Sequence, residues 1–382
     1  MILKALKYKS GWLRYEWSIK SGTSNNEFVE FENINLIVGR NASGKTRFIE
    51  AIRWISDLFD EGVRAGSLPQ RANSFEIIFQ NGNDEVKYNL AYDLNEFIFK
   101  ENLFINNSIK LDRGKGKLYY EQLNQFLDFK TDDHSLVVNR KDNLQQPFFE
   151  VLQNWGKNLS HYSFGGKMGK TEIERIGDFE GQDLINFKKT NYVKTVYRKA
   201  LNEFQSEFEK IIIEDMMRID YTISSISLED ISTHLFLSVQ ESDLDFPTLF
   251  DSMSQGMARA FSLIVQLNYS LMAKIPSCIL IDDIGEGLDY DRSKKLIELI
   301  IEKAEGSNIQ VFMTTNDRFV MNSVPLKYWS VIHREGNKSV FYNYQNSKQT
   351  FDDFAFTGLN NFDFFATEFY RQGFEEFIAT AQ

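Results

Sequence analysis

Two glycines with four residues between them, followed at once by a lysine and a threonine, stand near the amino end of this 382-residue chain as Gly39-Arg40-Asn41-Ala42-Ser43-Gly44-Lys45-Thr46. The spacing is that of a loop whose backbone N–H groups curl around a phosphate. A helix starting at the second glycine would point its positive end at the same anion. Lys45 is placed to reach the β- and γ-phosphates, and the Thr46 hydroxyl to ligate Mg²⁺. The loop therefore predicts a nucleoside triphosphate site. Far along the chain, the apolar run Ser277–Ile281 ends in two acids, Asp282 and Asp283. A carboxylate at the end of a buried strand can hold Mg²⁺ through water, and its neighbour can orient an attacking water molecule. Twenty-eight residues before Asp282, Ser254 reads as a helix N-cap, with Gln255, Gly256 and Met257 in the first turn. Gly256 would leave that backbone open to an anion, although taken alone the segment reads better as an ordinary capped core helix.

These groups need elements to position them. Residues 1–38 read as strands, the last a short apolar strand running into Gly39. Phe48, Ile49, Ile52, Ile55 and Phe59 recur at helical spacing over 46–59. From Ser74 to Tyr120 five short apolar segments alternate with turn formers, which predicts an antiparallel meander. A helix is expected over 147–155, a glycine-rich loop over 164–170, and one amphipathic helix over 193–219. After residue 230 strand and helix alternate, which predicts a partly parallel α/β sheet. The division expected is 1–130 (phosphate loop and meander), 131–230 (helical insertion) and 231–382 (the second set of chemical groups and an aromatic tail).

Composition narrows the classes. A net charge of −11 removes any global attraction to nucleic acid. One cysteine, Cys278, excludes an internal disulfide, and its apolar setting predicts a buried thiol. The four histidines are scattered, without metal-ligand spacing. Neither a signal-peptide run nor a membrane span is visible, so a cytoplasmic protein without a membrane partner is expected.

Taken together, the loop 39–46, the segment Ser252–Met257 and the segment Cys278–Asp289 resemble the ATP-binding-cassette class of P-loop ATPases. The first matches its Walker A loop, the second its signature motif, and the third its Walker B strand running into the D-loop. Thr314-Thr315-Asn316-Asp317 follows a strand where that class carries its switch residue. The 237 residues from Lys45 to Asp282 (282 − 45) and the early meander are similar to the SMC, RecF and OLD types, and above all to compact ATPases of bacterial anti-phage and abortive-infection systems. The resemblance implies an α/β ATPase head with a mixed or parallel sheet, an antiparallel β subdomain and a helical insertion. It implies ATP and Mg²⁺ as ligands, with the backbone and side chains of Gly39 to Thr46, Ser254, Gln255, Gly256 and Asp289 contacting nucleotide. Thr46 and Asp282 would hold the metal, and Lys45, Asp283 and Asn316 would be catalytic. Two ATP molecules would be sandwiched between two copies, giving a homodimer or higher oligomer that controls a separately encoded nuclease or toxin. About 65 residues after Asp317 are too few for the Toprim nuclease domain of OLD proteins, so no nuclease activity is expected here.

The chain departs from the class at several points. Asp283 stands where Glu is usual, Asn316 where His is usual, and Gln255 and Met257 replace Gly and Gln of the signature. Slow hydrolysis, in a clamp or sensor, follows from these. Gln145 or Gln146 is the candidate Q-loop residue. Alternative roles are a DNA-clamping repair ATPase and a non-hydrolysing scaffold. Two basic clusters bear on DNA: Lys188, Lys189, Lys194, Arg198 and Lys199 with Tyr192 and Tyr197, and Arg113, Lys115 and Lys117; each is otherwise a solvated face. The phenylalanine-rich segment 351–377 would either pack on the protein's own sheet or dock a partner.

Overall fold

The computed structural model describes residues 1–12, 15–23, 27–60, 74–93, 98–132, 135–164, 192–231 and 234–380. The chain divides into two compact units, residues 1–159 with 325–382, and residues 160–324. The amino-terminal part of the first contributes β1 (Ile2–Trp12), β2 (Tyr15–Ser21), β3 (Val29–Glu30), β4 (Ile34–Val38), α1 (Lys45–Asp60), β5 (Ser74–Asn81), β6 (Asp84–Asp93), β7 (Ile98–Ile105), β8 (Ser108–Asp112), β9 (Lys117–Tyr120), β10 (Gln125–Asp128) and α2 (Glu150–Lys157). The second unit holds β11 (Leu159–Ser163), α3 (Val193–Phe204), α4 (Ser206–Arg218), β12 (Ile223–Ile231), β13 (His234–Glu241), β14 (Thr248–Leu249), α5 (Gln255–Met272), β15 (Ser277–Asp282), α6 (Tyr290–Ala304), β16 (Ile309–Thr315) and α7 (Arg318–Ser323). The chain then returns to the first unit with β17 (Trp329–Glu335), β18 (Lys338–Asn343), α8 (Tyr344–Phe354), α9 (Asn361–Ala366) and α10 (Phe369–Thr380).

In the first unit the strands run in the order β10-β9-β8-β7-β6-β5-β1-β2-β18-β17-β4, with β3 beside β1. From β2 through β1 to β10 neighbours are antiparallel, whereas β18 lies parallel to β2 and β17 parallel to β4. Alternation on β5 turns Phe75, Ile77 and Phe79 inward. There Phe79 meets Trp155 of α2 and Phe59 of α1, with ring centroids 4.8 and 6.4 Å apart. Gly156 lets α2 approach α1, since a Cβ there would stand 2.7 Å from the Ser56 carbonyl oxygen. β4 is buried at every residue, as a continuous apolar strand should be. The aromatic tail packs within this unit: Phe351, Phe354, Phe364 and Phe369 are buried in one cluster, with Trp329 of β17 against Phe364. Phe356 and Phe374 remain exposed.

The meander differs from expectation at β8, which was not anticipated, and at β7. Two short strands were expected on either side of Glu101, but one strand runs straight through it. Glu101 is fully buried, and its carboxylate accepts from Val137 and Val138 N–H at 2.8 and 2.9 Å, from Tyr88 Oη at 2.9 Å and from Arg113 at 3.2 Å.

In the second unit β11, β15 and β16 are neighbours, and β15 and β16 are parallel from Ser277↔Ile309 to Ile281↔Met313. α5 is buried from Gly256 to Ser270, so its polar residues find internal partners. Asn268 Nδ2 donates to Asp215 of α4 at 2.6 Å, and Lys303 of α6 pairs with the same carboxylate at 2.8 Å. The single helix expected over 193–219 is two, because Gln205 takes φ 54°, ψ −142° between α3 and α4. β12 pairs with β13 as a hairpin, and only β13 was anticipated. Cys278 is buried. Among the described residues no helix is long and apolar enough to cross a membrane. Lys188, Lys189 and residues 165–170 of the expected glycine-rich loop lie outside the described residues.

Candidate nucleotide site

In the first unit, buried β4 delivers the chain to Gly39 and α1 begins at Lys45, so residues 39–46 form a tight strand-to-helix loop. Ala42 (φ 62°) and Gly44 (φ 107°) are left-handed within it. Such alternation turns successive N–H groups to one side and makes an anion-binding concavity. Lys45 is buried and its ammonium folds back on the loop, donating to Gly39 O at 2.9 Å and Arg40 O at 3.3 Å. Ser43 Oγ is buried without a hydrogen-bond partner among the described residues. A buried cation on loop carbonyls, an orphaned hydroxyl and a concave run of amides fit a phosphate group. Thr46 is exposed, which suits a hydroxyl awaiting a metal. The loop is braced from behind. Ser339 of β18 donates to Ser43 O at 3.0 Å and itself accepts from Trp17 Nε1 at 2.9 Å. Gly44 has no room for a side chain, because a Cβ would stand 2.6 Å from Ser339 Oγ. Gln145 is half-buried and Gln146 buried, both just ahead of α2.

In the second unit Asp282 ends β15 and is buried. Its carboxylate accepts from Thr314 Oγ1 at 2.6 Å, and the same hydroxyl accepts from Asp283 N–H at 2.9 Å. Thr314 was expected only as the start of a switch segment after the strand, but parallel β16 includes both Thr314 and Thr315. The visible signal for its contact was a threonine pair at the end of an apolar strand. Asp283 is half-buried at φ 54°, a left-handed conformation in which Asp and Asn are enriched. It lines a cavity of about 420 Å³ together with Gly285, Thr315, Asn316 and Phe319. Asn316 is exposed, and Asp317 caps α7 by accepting from Phe319 and Val320 N–H.

Ser254 caps α5, its hydroxyl accepting from Met257 N–H at 3.3 Å. Ser254 and Gln255 are exposed, whereas Gly256 is buried against Gly287, whose carbonyl would lie 2.4 Å from an added Cβ. Arg259, one turn on, donates to Glu286 O at 2.8 Å. The segments 254–257 and 284–289 are thus packed together within one unit. Asp289 is exposed and caps α6; the Arg292 N–H and guanidinium hold its carboxyl below the usual range.

The described charged members of the basic clusters are matched internally. Lys194 is buried and pairs with Asp251, Arg198 with Asp230, and Lys199 with Glu203. Tyr197 is buried. Arg113 is nearly buried on Glu101, and Lys115 and Lys117 pair with Asp112 and Asp128.

Comparison with known proteins gives the family and the fold. The DNA replication and repair protein RecF of Lactobacillus gasseri is 24% identical over 347 residues, 75% of this chain and 87% of RecF. An ATP/GTP phosphatase of Helicobacter pylori is 20% identical over 320 residues, 77% of this chain and 82% of that protein. The fold is similar to that of an SMC head solved with the C-winged helix domain of ScpA, with a TM-score of 0.53 at 13% identity, covering 89% of this chain and 97% of that one. Residues 34–322 match the family described as "AAA domain, putative AbiEii toxin, Type IV TA system". The chain belongs to that family and is an ABC-class P-loop ATPase of the SMC/RecF type.

Proposed function

We propose that this ATPase is a nucleotide-driven dimer that acts as the sensor and regulator of a separately encoded effector, a nuclease or toxin, in anti-phage defence. ATP binds at Gly39–Thr46. Lys45 leaves the loop carbonyls for the β- and γ-phosphates, and the amides of residues 41–46 hold the phosphate oxygens. Thr46 and Asp282 are the residues that would hold Mg²⁺, which would supply neutralisation of phosphate charge. Asp283 orients the attacking water, and Asn316 donates a hydrogen bond towards the γ-phosphate. Asp283 is one methylene shorter than the usual glutamate and Asn316 cannot take a proton, which favours slow turnover and a long-lived ATP state.

The observation that carries the dimer is the start of α5: Ser254 and Gln255 are exposed at the amino end of a helix otherwise buried. A helix end facing outward can take the γ-phosphate bound by another copy. Asp289, also exposed, is the accompanying contact. ADP lacks the γ-phosphate, so ATP binds the closed pair better than the open one and shifts the population.

A direct DNA clamp is the second reading, favoured by the RecF relatives and by a groove on the sheet of the first unit lined by Lys7, Lys9, Lys20, Lys100 and Lys338. Glu16, Glu27 and Glu76 line the same groove, and Lys7 and Lys9 pair with them, which favours the effector reading.

Light scattering with Mg²⁺ and a slowly hydrolysed ATP analogue tests the proposal. The wild type should become a dimer or larger assembly, and Lys45→Ala and Ser254→Arg should remain protomers. A wild-type protomer at saturating nucleotide sinks the dimer. Tight DNA binding with a steep salt dependence would favour the clamp. Co-expression with the neighbouring gene product tests the effector.

A further inference from the structure

The phosphate loop is held by the carboxyl-terminal part of its own unit at three points. Two of them grip backbone: Ser339 on Ser43 O at 3.0 Å, and Arg334, at the end of β17, on Ala42 O at 3.4 Å. Those contacts remain available whatever lies in the loop. The third engages a side chain. Arg40, the first residue after Gly39, donates from Nη2 to Glu368 Oε1 at 2.9 Å. Its guanidinium is 68% exposed, whereas Glu368 is 18% exposed and is also bound by Arg371 at 2.9 Å.

Glu368 is built into place. It lies between α9 and α10 at φ 58°, a left-handed conformation uncommon for glutamate. Its N–H donates to Phe365 O, and its carbonyl accepts from Arg371 and Gln372 N–H. Two residues on, Tyr370 hydrogen-bonds His333 Nδ1 of β17 at 3.1 Å and packs on Tyr342 of β18. The carboxylate is therefore fixed to a helical pair that rests on the strands behind the loop. The cation it holds is the exposed partner, on a long side chain, at the rim of the phosphate concavity.

We propose that Glu368 is a latch that competes with the nucleotide phosphates for Arg40. Without nucleotide the guanidinium is held by Glu368. A bound triphosphate draws it off, leaving Glu368 to Arg371. Releasing Arg40 removes one tie between the phosphate loop and the α9–α10 pair, so these helices report nucleotide occupancy. Coupling of this kind is reciprocal: whatever pulls α9 and α10 aside tightens nucleotide binding. The inference rests on the proposed binding of ATP at Gly39–Thr46.

The test titrates a fluorescent ATP analogue with Mg²⁺ into the full chain. Glu368→Gln should tighten binding about two- to fivefold, the size of one exposed ion pair. In an Arg40→Ala background the same change should have no such effect. In parallel, ATP should raise hydrogen exchange over residues 361–374 of the wild type and not of Arg40→Gln. Unchanged or weaker binding by Glu368→Gln overturns the latch, and so does equal tightening in both backgrounds, which would be a field effect of the lost charge. Should Glu368→Gln fail to fold, Arg40→Gln decides: persistence of the ATP-dependent exchange overturns the latch. A wild type that binds no nucleotide sinks the ATP site and the latch together, whereas normal wild-type binding with a flat Glu368→Gln response removes the latch only.

Discussion

Thr314 Oγ1 donates to the Asp282 carboxylate at 2.6 Å and accepts from the Asp283 N–H at 2.9 Å, so one hydroxyl holds the first acid's side chain and the second acid's backbone. Outer partners of this kind set the rotamer of a metal-binding carboxylate. Thr314→Val keeps the volume and deletes the hydroxyl. Steady-state phosphate release should fall about 10–100-fold, with a higher Mg²⁺ requirement. Thr314→Ser should retain most activity, and unchanged turnover by Thr314→Val would remove this role.

The water-orienting role proposed for Asp283 would be carried on a backbone at φ 54°. Asn tolerates that conformation as well as Asp does. Asp283→Asn should therefore melt with the wild type and still bind nucleotide, while its turnover falls about 10²–10⁴-fold. A melting temperature shifted as far as the activity would point to a structural role instead.

Gly256 has no space for a methyl group, since the Gly287 carbonyl and a Leu288 methyl would lie 2.4 and 2.9 Å from it. Gly256→Ala must push the two segments apart and should cost about 1–3 kcal/mol in urea denaturation. It should also weaken ATP-dependent association in light scattering. Retention of both properties would show that these segments tolerate separation.

Glu101 neutralises Arg113 inside the meander. Glu101→Ala leaves that guanidinium without its carboxylate and should cost about 3–5 kcal/mol, read by urea denaturation. Burial outweighs the hydrogen bonds and Arg113 and raises the Glu101 carboxyl above its ordinary value. A raised folded value means that the folded protein binds the proton more tightly. This group's share of stability is thus complete below about pH 4.3 and is lost as pH rises through the folded value. Glu101→Gln should remove that slope.

The same glutamate shows where sequence reading stops. Apolar alternation made β5, β6 and β9 legible, but β8, SIKLD, fully buries only one residue and was missed, and a charged residue inside β7 looked like a break, because its partners lie up to 37 residues away. Gln205 hid the opposite error. The amphipathic pattern over 193–219 continues across it, and no glycine or proline announces the left-handed turn between α3 and α4. β12 escaped because its sequence, ISSISLEDI, buries only two of its nine residues. The phosphate loop and the paired acids were legible because their spacing is set by local backbone geometry. Thr314, Arg259 and Glu368 were not, since each acts through a contact with a distant segment.

The bond from Trp17 to Ser339, and from Ser339 on to Ser43, puts a buried indole two hydrogen bonds from the proposed triphosphate loop. Arg47, one residue beyond Thr46, lies over the same ring with 5.3 Å between its guanidinium carbon and the ring centroid. Trp17 is thus placed to serve as an optical gauge: a rearrangement of the loop should change the part of the ultraviolet emission that Trp17→Phe removes from the signal of the five tryptophans.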